Sequence, residues 1–302
     1  MKFSRKVTQA FLFLLLKAIT FVSRALPWHI GVYFGGLLGG VTYHILRRER
    51  KRSIEGLQVA FGETKSMSEL ETISKRNFKN LGKGLIEILN LHRLTPERVQ
   101  SLISIEGEEY LQEAVNRGEG TILVTGHIGN WELLAAGLCI RGHRIHAIAA
   151  PILDHRIDEW IVQLRSRLKV ETISRGAPSS SRKILSVLRR QEILGLLIDQ
   201  DAKVDGVFVN FFNKKAYTPA GAAQLALRKG VTTMMCFVTR LPGDRHHITI
   251  QKPIHLIRTG DGEKDIEMNT ALFTSRIEEQ IKQYPDQWVW MHRRWKTKPP
   301  KK

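Results

Sequence analysis

Gly120-Thr-Ile-Leu-Val-Thr-Gly-His-Ile-Gly-Asn-Trp-Glu132 is the stretch on which the reading of this chain turns. Its first half is a short apolar run rich in β-branched residues, the composition of a strand buried on both faces of a sheet. Gly126 and Gly129 then permit a tight turn, and Asn130 is suited to cap a helix expected over 130–140. The alternation continues downstream. Further strands are expected over 144–150, 170–174, 193–198, 231–239 and 246–252. Helices are expected over 154–168, with several arginines on the outer side, and over 180–190. Two more fall at 218–229, with Thr218 as cap and Pro219 in the first turn, and at 270–284, stopped by Pro285. Upstream, 68–91 reads as a long amphipathic helix with Ser68 as N-cap and Glu71 three residues on. Strands alternating with helices of these lengths predict an α/β fold, a largely parallel central sheet flanked by helices.

The chain has 302 residues, 42% of them hydrophobic, which suits a folded core and excludes wholesale disorder. Lys and Arg number 47 against 29 Asp and Glu, a net charge of +18. That surplus favours anionic partners: nucleic acid, phospholipid headgroups or acidic proteins. The basic residues are dispersed and no nucleic-acid module is recognisable, so no nucleic-acid partner is expected. Cys139 and Cys236 both lie in apolar runs and read as reduced core residues.

The first acidic residue is Glu49, and two apolar stretches precede it. Residues 8–22 are interrupted only by Lys17. Residues 25–46 carry no Lys, Arg, Asp or Glu and are long enough to span a bilayer, although Gly31, Gly35, Gly36, Gly39 and Gly40 also suit close packing on a neighbouring helix. Basic clusters flank the region: Lys2, Arg5 and Lys6 before it, and Arg47, Arg48, Arg50, Lys51 and Arg52 after it. Residues 1–50 are therefore expected to be a membrane-anchoring helical segment, and 51–302 the α/β domain. Whether the segment spans the bilayer or lies in its interface is open.

Ligands of open parallel sheets gather at the carboxyl ends of the strands, and His127 follows such an end by two residues. On one continuous helix His127 and Glu132 would point about 140° apart. With His127 in the turn and Glu132 in the first helical turn, the carboxylate can reach back to the imidazole. A neutral His held by a carboxylate is a general base for a hydroxyl, and with no protein nucleophile beside it the substrate supplies the attacking oxygen. No metal is expected, because the zinc-protease pattern needs two His one turn apart.

The run Gly126-His-Ile-Gly-Asn-Trp-Glu-Leu133 resembles the catalytic motif of the bacterial lipid A late acyltransferases, within the glycerolipid acyltransferases that carry a His and an acid with four residues between them. Leu197-Ile-Asp-Gln-Asp201, Gly206-Val-Phe-Val-Asn-Phe-Phe212, Thr218-Pro-Ala-Gly221 and Gln287-Trp-Val-Trp-Met-His-Arg-Arg-Trp295 are similar to that family in the same order. Asn213 departs from it, a Gly being usual after the paired phenylalanines. The resemblance implies transfer of a fatty acyl group from acyl carrier protein to a hydroxyl of a lipid A precursor, usually Kdo-bearing, at the cytoplasmic face of the inner membrane. The carrier thioester is then a co-substrate, and no cofactor is expected. It makes His127 the base and Glu132 its partner. Asn130 is included among substrate-binding candidates, and Arg175 matches a position where the superfamily often binds phosphate. Asp199 and Asp201 would orient sugar hydroxyls or hold Arg175. Trp288, Trp290 and Trp295 form either an interfacial belt or core packing. The nearest alternative is a phosphatidylinositol mannoside or other glycolipid acyltransferase using acyl-CoA; a basic lipid-binding protein and a thioesterase-like hydrolase are the others.

Overall fold

In a computed structural model, which describes residues 2–300, the apolar runs are the strands of one seven-stranded sheet. The helices are α1 (Lys2–Ala25), α2 (Trp28–Ile45), α3 (Arg47–Phe61), α4 (Met67–Leu89), α5 (Pro96–Leu102), α6 (Glu108–Asn116), α7 (Trp131–Ile140), α8 (His155–Arg167), α9 (Ser180–Arg189), α10 (Gly221–Lys229) and α11 (Gly262–Gln283). The strands are β1 (Ile103–Glu106), β2 (Thr121–Thr125), β3 (Ile145–Ala149), β4 (Glu171–Ser174), β5 (Ile193–Leu197), β6 (Gly206–Phe211), β7 (Lys214–Pro219), β8 (Thr232–Arg240) and β9 (His246–Ile250). Their order in the main sheet is β1-β9-β8-β2-β5-β3-β4. β8, β2, β5, β3 and β4 run parallel, while β9 is antiparallel to β8 and carries β1 parallel to itself.

Alternate residues of the central strands serve opposite layers, as a two-residue side-chain period requires. Ile122 and Val124 face α9, α10 and α11, together with Phe237, Phe273 and Ile277. Leu123 faces α5 to α8, together with Ile145, Met234, Cys236 and Val238. Helices on both faces leave no polar side, hence the continuous apolar runs. Both cysteines are free and buried, as expected.

β6 and β7 form a separate antiparallel hairpin, paired from Gly206↔Pro219 to Phe211↔Lys214. The expected helix at 218 therefore begins later. Pro219 ends β7, and Thr218 accepts a hydrogen bond from Arg294 instead of capping. The two-residue turn, Phe212 and Asn213, has φ of 49° and 56°. These are type I′ values, which Asn tolerates well, so Asn213 takes the left-handed position without a glycine. Phe212 is fixed there by its N–H donating to Glu278 at 2.6 Å and by ring contacts to Phe61 and Trp290.

Other boundaries shift for local reasons. Ser66, not Ser68, caps α4 in a reciprocal box with Glu69. α11 starts eight residues before the expected 270, because Asp261 accepts from the N–H groups of Glu263 and Lys264.

The amino-terminal helices divide the two membrane expectations between them. α1 contains Val7–Ala25, long and apolar enough to cross a bilayer and only 11% buried. α1 also touches the body, with Arg156 4.7 Å from the Phe13 ring centre and Lys17 5.1 Å from that of Trp160. The second stretch, α2, instead lays its glycines on α4: a Cβ on Gly35 would come within 2.6 Å of the Gly82 carbonyl. Residue 50 lies within α3. The side chains of Lys2, Arg5 and Lys6, and the whole of Lys301 and Lys302, are outside the described residues.

Gly39 and Gly40 separate packing from propensity. A Cβ on Gly39 meets the backbone of Phe78 and Lys79, with the Lys79 Cα at 2.9 Å, whereas on Gly40 it rests 3.5 Å from the Lys79 Cε. Gly39→Ala should cost about 1–3 kcal/mol of stability through overpacking. Gly40→Ala should be neutral or gain about 0.5–1 kcal/mol from helix propensity. Thermal melting in detergent distinguishes the two, and equal shifts would contradict the packing described.

Candidate active site

The carboxyl ends of β2, β5, β3 and β4 form one edge, where His127 follows β2, Asp199 follows β5 and Arg175 follows β4. The turn after β2 is stapled to the carboxy-terminal segment. Gly129 N–H donates to the Gln287 carbonyl at 2.9 Å, Val289 N–H donates to the His127 carbonyl at 3.2 Å, and Ile128 bridges Trp288. Gly129 has φ +60°, and a Cβ there would strike the Val238 carbonyl, so the turn admits little but glycine.

The carboxylate that holds the imidazole is Asp199, not Glu132. Asp199 Oδ1 lies 2.7 Å from His127 Nδ1, and its Oδ2 accepts from the His127 backbone N–H at 2.7 Å and from Trp288 Nε1–H at 2.6 Å. Burial alone would raise the Asp199 pKa, but the adjacent imidazole and these three hydrogen bonds overcome it and hold the value at about 2. An ionised acceptor requires the proton on Nδ1, which leaves Nε2 as the basic nitrogen. The contribution of Asp199 to folding is therefore fully present above its unfolded value of about 3.9. It is lost progressively as the pH falls from there through about 2.

Glu132 lies in the first turn of α7 as expected, yet it forms a fork with Arg165 of α8: Oε2 to Nε 2.7 Å and Oε1 to Nη2 2.5 Å. Arg165 thus faces inward rather than outward. Burial acts to lower its pKa, but the Glu132 hydrogen bond and charge prevail and raise it. Asn130 caps α7, its Oδ1 accepting from Leu133 N–H, while its Nδ2 donates to Glu87 Oε2 at 2.8 Å. Both ends of its amide are satisfied in the interior, so it supports the turn and is not a substrate contact. Glu87 is fully buried against Arg240, at 2.7 Å from each carboxylate oxygen, and against His246. Burial acts to raise the Glu87 pKa, and the adjacent His246 imidazole and Arg240 guanidinium hold it well below the ordinary carboxylate range.

Asp201 does not pair with Arg175 either. It accepts from the N–H and hydroxyl of Thr297, and its own N–H donates to His292 Nε2 at 3.0 Å. Burial pushes the His292 imidazole down to about 4, which suits this acceptor role. Arg175 is exposed at the rim, with no carboxylate in ion-pair reach among the described residues. Trp288 and Trp290 are buried core residues, which decides against an interfacial belt for them.

A cavity of about 560 Å³ opens beside His127. Its mouth is polar, with Arg175, Lys203 and Lys296, while Leu123, Ala135, Ile145, Val170 and Cys236 line its depth between the sheet and α7. Across β2, β5 and β3 the register places Leu123, Gly195 and Ala147 in one row, so a missing side chain widens the floor. The hydroxyl and thiol groups among the lining residues are those of Thr125 and Cys236. Burial raises the Cys236 pKa, which makes it a poor nucleophile. Among the described residues no group of three or more His, Cys, Asp or Glu is placed to hold a metal ion.

An imidazole held by a buried carboxylate beside an apolar-floored cavity fits acyl transfer. The profile of the family described as Bacterial lipid A biosynthesis acyltransferase matches residues 1–297. The chain belongs to that family. It is 25% identical to the lipid A biosynthesis palmitoleoyltransferase of Escherichia coli K12 over 91% of this chain and 87% of the relative. Identity to the lipid A biosynthesis lauroyltransferase of the same organism is also 25%, over 91% and 88%. A phosphatidylinositol mannoside acyltransferase of Mycobacterium tuberculosis H37Rv matches at 26%, over 47% and 45%. The protein is an acyltransferase of lipid A biosynthesis with a candidate membrane helix in α1.

Arg165 and the Trp288 tether were missed by local spacing. Both depend on elements distant in sequence, although Trp288 stood in a conspicuous aromatic run. A double-mutant cycle on thermal stability should couple Glu132 to Arg165 by about 1 kcal/mol or more, and leave Glu132 and His127 additive within about 0.5 kcal/mol. In activity, Asp199→Asn should lower kcat by about 10²–10⁴-fold with little change in acceptor KM. Coupling of Glu132 to His127 would restore the spacing-based pairing.

Proposed function

We propose that this acyltransferase moves a fatty acyl group from acyl carrier protein to a hydroxyl of a lipid A precursor, usually Kdo-bearing, at the cytoplasmic face of the inner membrane. The observation that carries the proposal is the His127 imidazole, oriented through Nδ1 by a buried carboxylate and facing an apolar-floored cavity with no activated protein nucleophile. The relatives named for palmitoleoyl and lauroyl transfer in lipid A biosynthesis match about nine-tenths of the chain, whereas mannoside acyltransferases match 47% to 69% of it.

The acyl chain lies in the cavity depth with its thioester carbonyl at the mouth. His127 Nε2 takes the proton of the acceptor hydroxyl as its oxygen attacks the carbonyl carbon. The tetrahedral intermediate collapses with cleavage of the C–S bond, and the imidazolium returns the proton to the departing thiolate. The products are the ester and the free carrier thiol. Asp199 stays ionised and stabilises the transient imidazolium. Arg175, exposed at the rim, meets a phosphate in this reading, and α1 holds the enzyme at the membrane that contains the acceptor.

Incubation with lauroyl- or myristoyl-carrier protein and a precursor lipid should give acylated lipid, and His127→Ala should lower the rate by at least about 10²-fold. Transfer from acyl-CoA but not from the carrier would overturn the donor assignment. Gly195→Leu tests the cavity. A Cβ at Gly195 meets nothing nearer than 3.8 Å, so folding should survive while the floor fills. Mass spectrometry of the product should show a shorter preferred acyl chain, and an unchanged chain would move the acyl site elsewhere.

A further inference from the structure

A second concavity, of about 450 Å³, lies between one face of α3 and the carboxy-terminal segment. It shares His292 and Lys296 with the cavity beside His127, so the two adjoin across these side chains. Gly56 permits the approach, since a Cβ there would already touch Trp290 at 3.2 Å.

The groove is strongly and asymmetrically charged. Glu55 is the acidic residue in its lining, and Lys51 lies 4.0 Å from it. Arg52 pairs with Glu49 at 3.5 Å, and Lys296 donates to the Asp201 carbonyl at 2.8 Å. Arg48, Arg293 and Lys298 are exposed and, among the described residues, have no carboxylate within ion-pair distance. Three unpaired cations in a concavity focus a field that charge-assisted hydrogen bonds to a phosphate would satisfy.

Position identifies the source of that phosphate. Ile45 and Leu46 are 68% and 42% exposed and immediately precede Arg47 and Arg48, so the α3 end of the groove begins where an exposed apolar surface stops. A lipid with its chains in the membrane presents its headgroup at this level. An acidic carrier protein would need a broad convex-facing surface, whereas a concavity adjoining the cavity beside His127 admits one anionic group of a substrate bound there. We infer that the groove formed by Arg48, Arg293 and Lys298 binds a phosphomonoester on the acceptor glycolipid, fixing which hydroxyl reaches His127. The inference rests on the lipid-acceptor reading above.

The test uses the full chain in detergent, with Arg48→Ala, Arg293→Ala and Lys298→Ala combined. Phosphorylated acceptor and the same acceptor after phosphatase treatment are compared. The acceptor KM should rise at least about tenfold for the phosphorylated lipid, with kcat and the KM for the acyl-carrier thioester held within about twofold. The wild-type enzyme should itself prefer the phosphorylated acceptor. Hydrolysis of the thioester without acceptor should be unchanged, which shows that the variant is folded. Equal effects on both acceptors, no effect, or a rise confined to the carrier thioester would each overturn the inference, the last pointing to carrier docking. If the wild-type enzyme acylates neither lipid, the function proposed above fails separately. Binding of the two lipids in mixed micelles, read by tryptophan fluorescence beside Trp295, then decides the groove: equal binding of both forms by the wild type overturns it.

Discussion

The Asp199 carboxylate is the constraint on which the site depends. Its two oxygens gather the turn after β2, through a backbone N–H and the imidazole, and the carboxy-terminal segment, through Trp288. These groups are 72 and 89 residues away in the chain. A buried carboxylate with fewer donors would take up a proton to escape its desolvation cost, and the imidazole would lose its acceptor. Because all three donors come from segments that also pair with one another, the charge, the tautomer and the direction of Nε2 are set together. The imidazole is oriented before any substrate arrives, which is what preorganisation of the proposed proton-transfer step requires.

The strand framework was legible because burial on both faces leaves an unmistakable apolar run, and 121–125, 193–198 and 231–239 each announced themselves in this way. The hairpin was not. Its strand opens with two exposed lysines, Lys214 and Lys215, on a partly exposed ribbon, and its turn uses Phe212 and Asn213 where a glycine signal would normally mark the reversal. At the site, local spacing found His127 and its helix but paired it with the wrong acid. Proximity in sequence favoured Glu132, yet the helix carries that side chain toward α8, while parallel pairing of β2 with β5 brings Asp199 alongside. The block containing Asp199 was visible in the sequence; the register that makes it the partner of His127 is a tertiary fact. Asn130 illustrates the same limit, since its neighbour Glu87 lies 43 residues upstream.

The net charge of +18 likewise resolves into local roles. Arg240, Arg165 and Arg294 are interior cations. Each is desolvated and each is answered by carboxylates or carbonyls: Glu87, Glu132, and the Tyr217 carbonyl with the Thr218 hydroxyl. They add little to the field outside. The surplus that a ligand can feel lies in unpaired groups on the rim, where Arg175 stands at one side of the cavity and Arg293 and Lys298 continue from the other. Counting charges could not separate these two populations, because the distinction depends on burial and on partner geometry.

Glu132 and Arg165 gain a physical meaning once they are released from direct action on the imidazole. Each line of their fork crosses from α7 to α8 at the wall of the cavity, and both residues are largely withdrawn from water, with side chains 8% and 15% exposed. Breaking such a pair costs about 3–5 kcal/mol, because it strands a charge in the interior. The helix that begins beside His127 is thereby tied to the helix opposite, and the Trp131 ring, 4.9 Å from the imidazole at a steep angle, is carried on the same first turn. A carboxylate placed five residues beyond His127 therefore ties together the walls of the cavity, while the carboxylate that orients the imidazole follows the neighbouring strand.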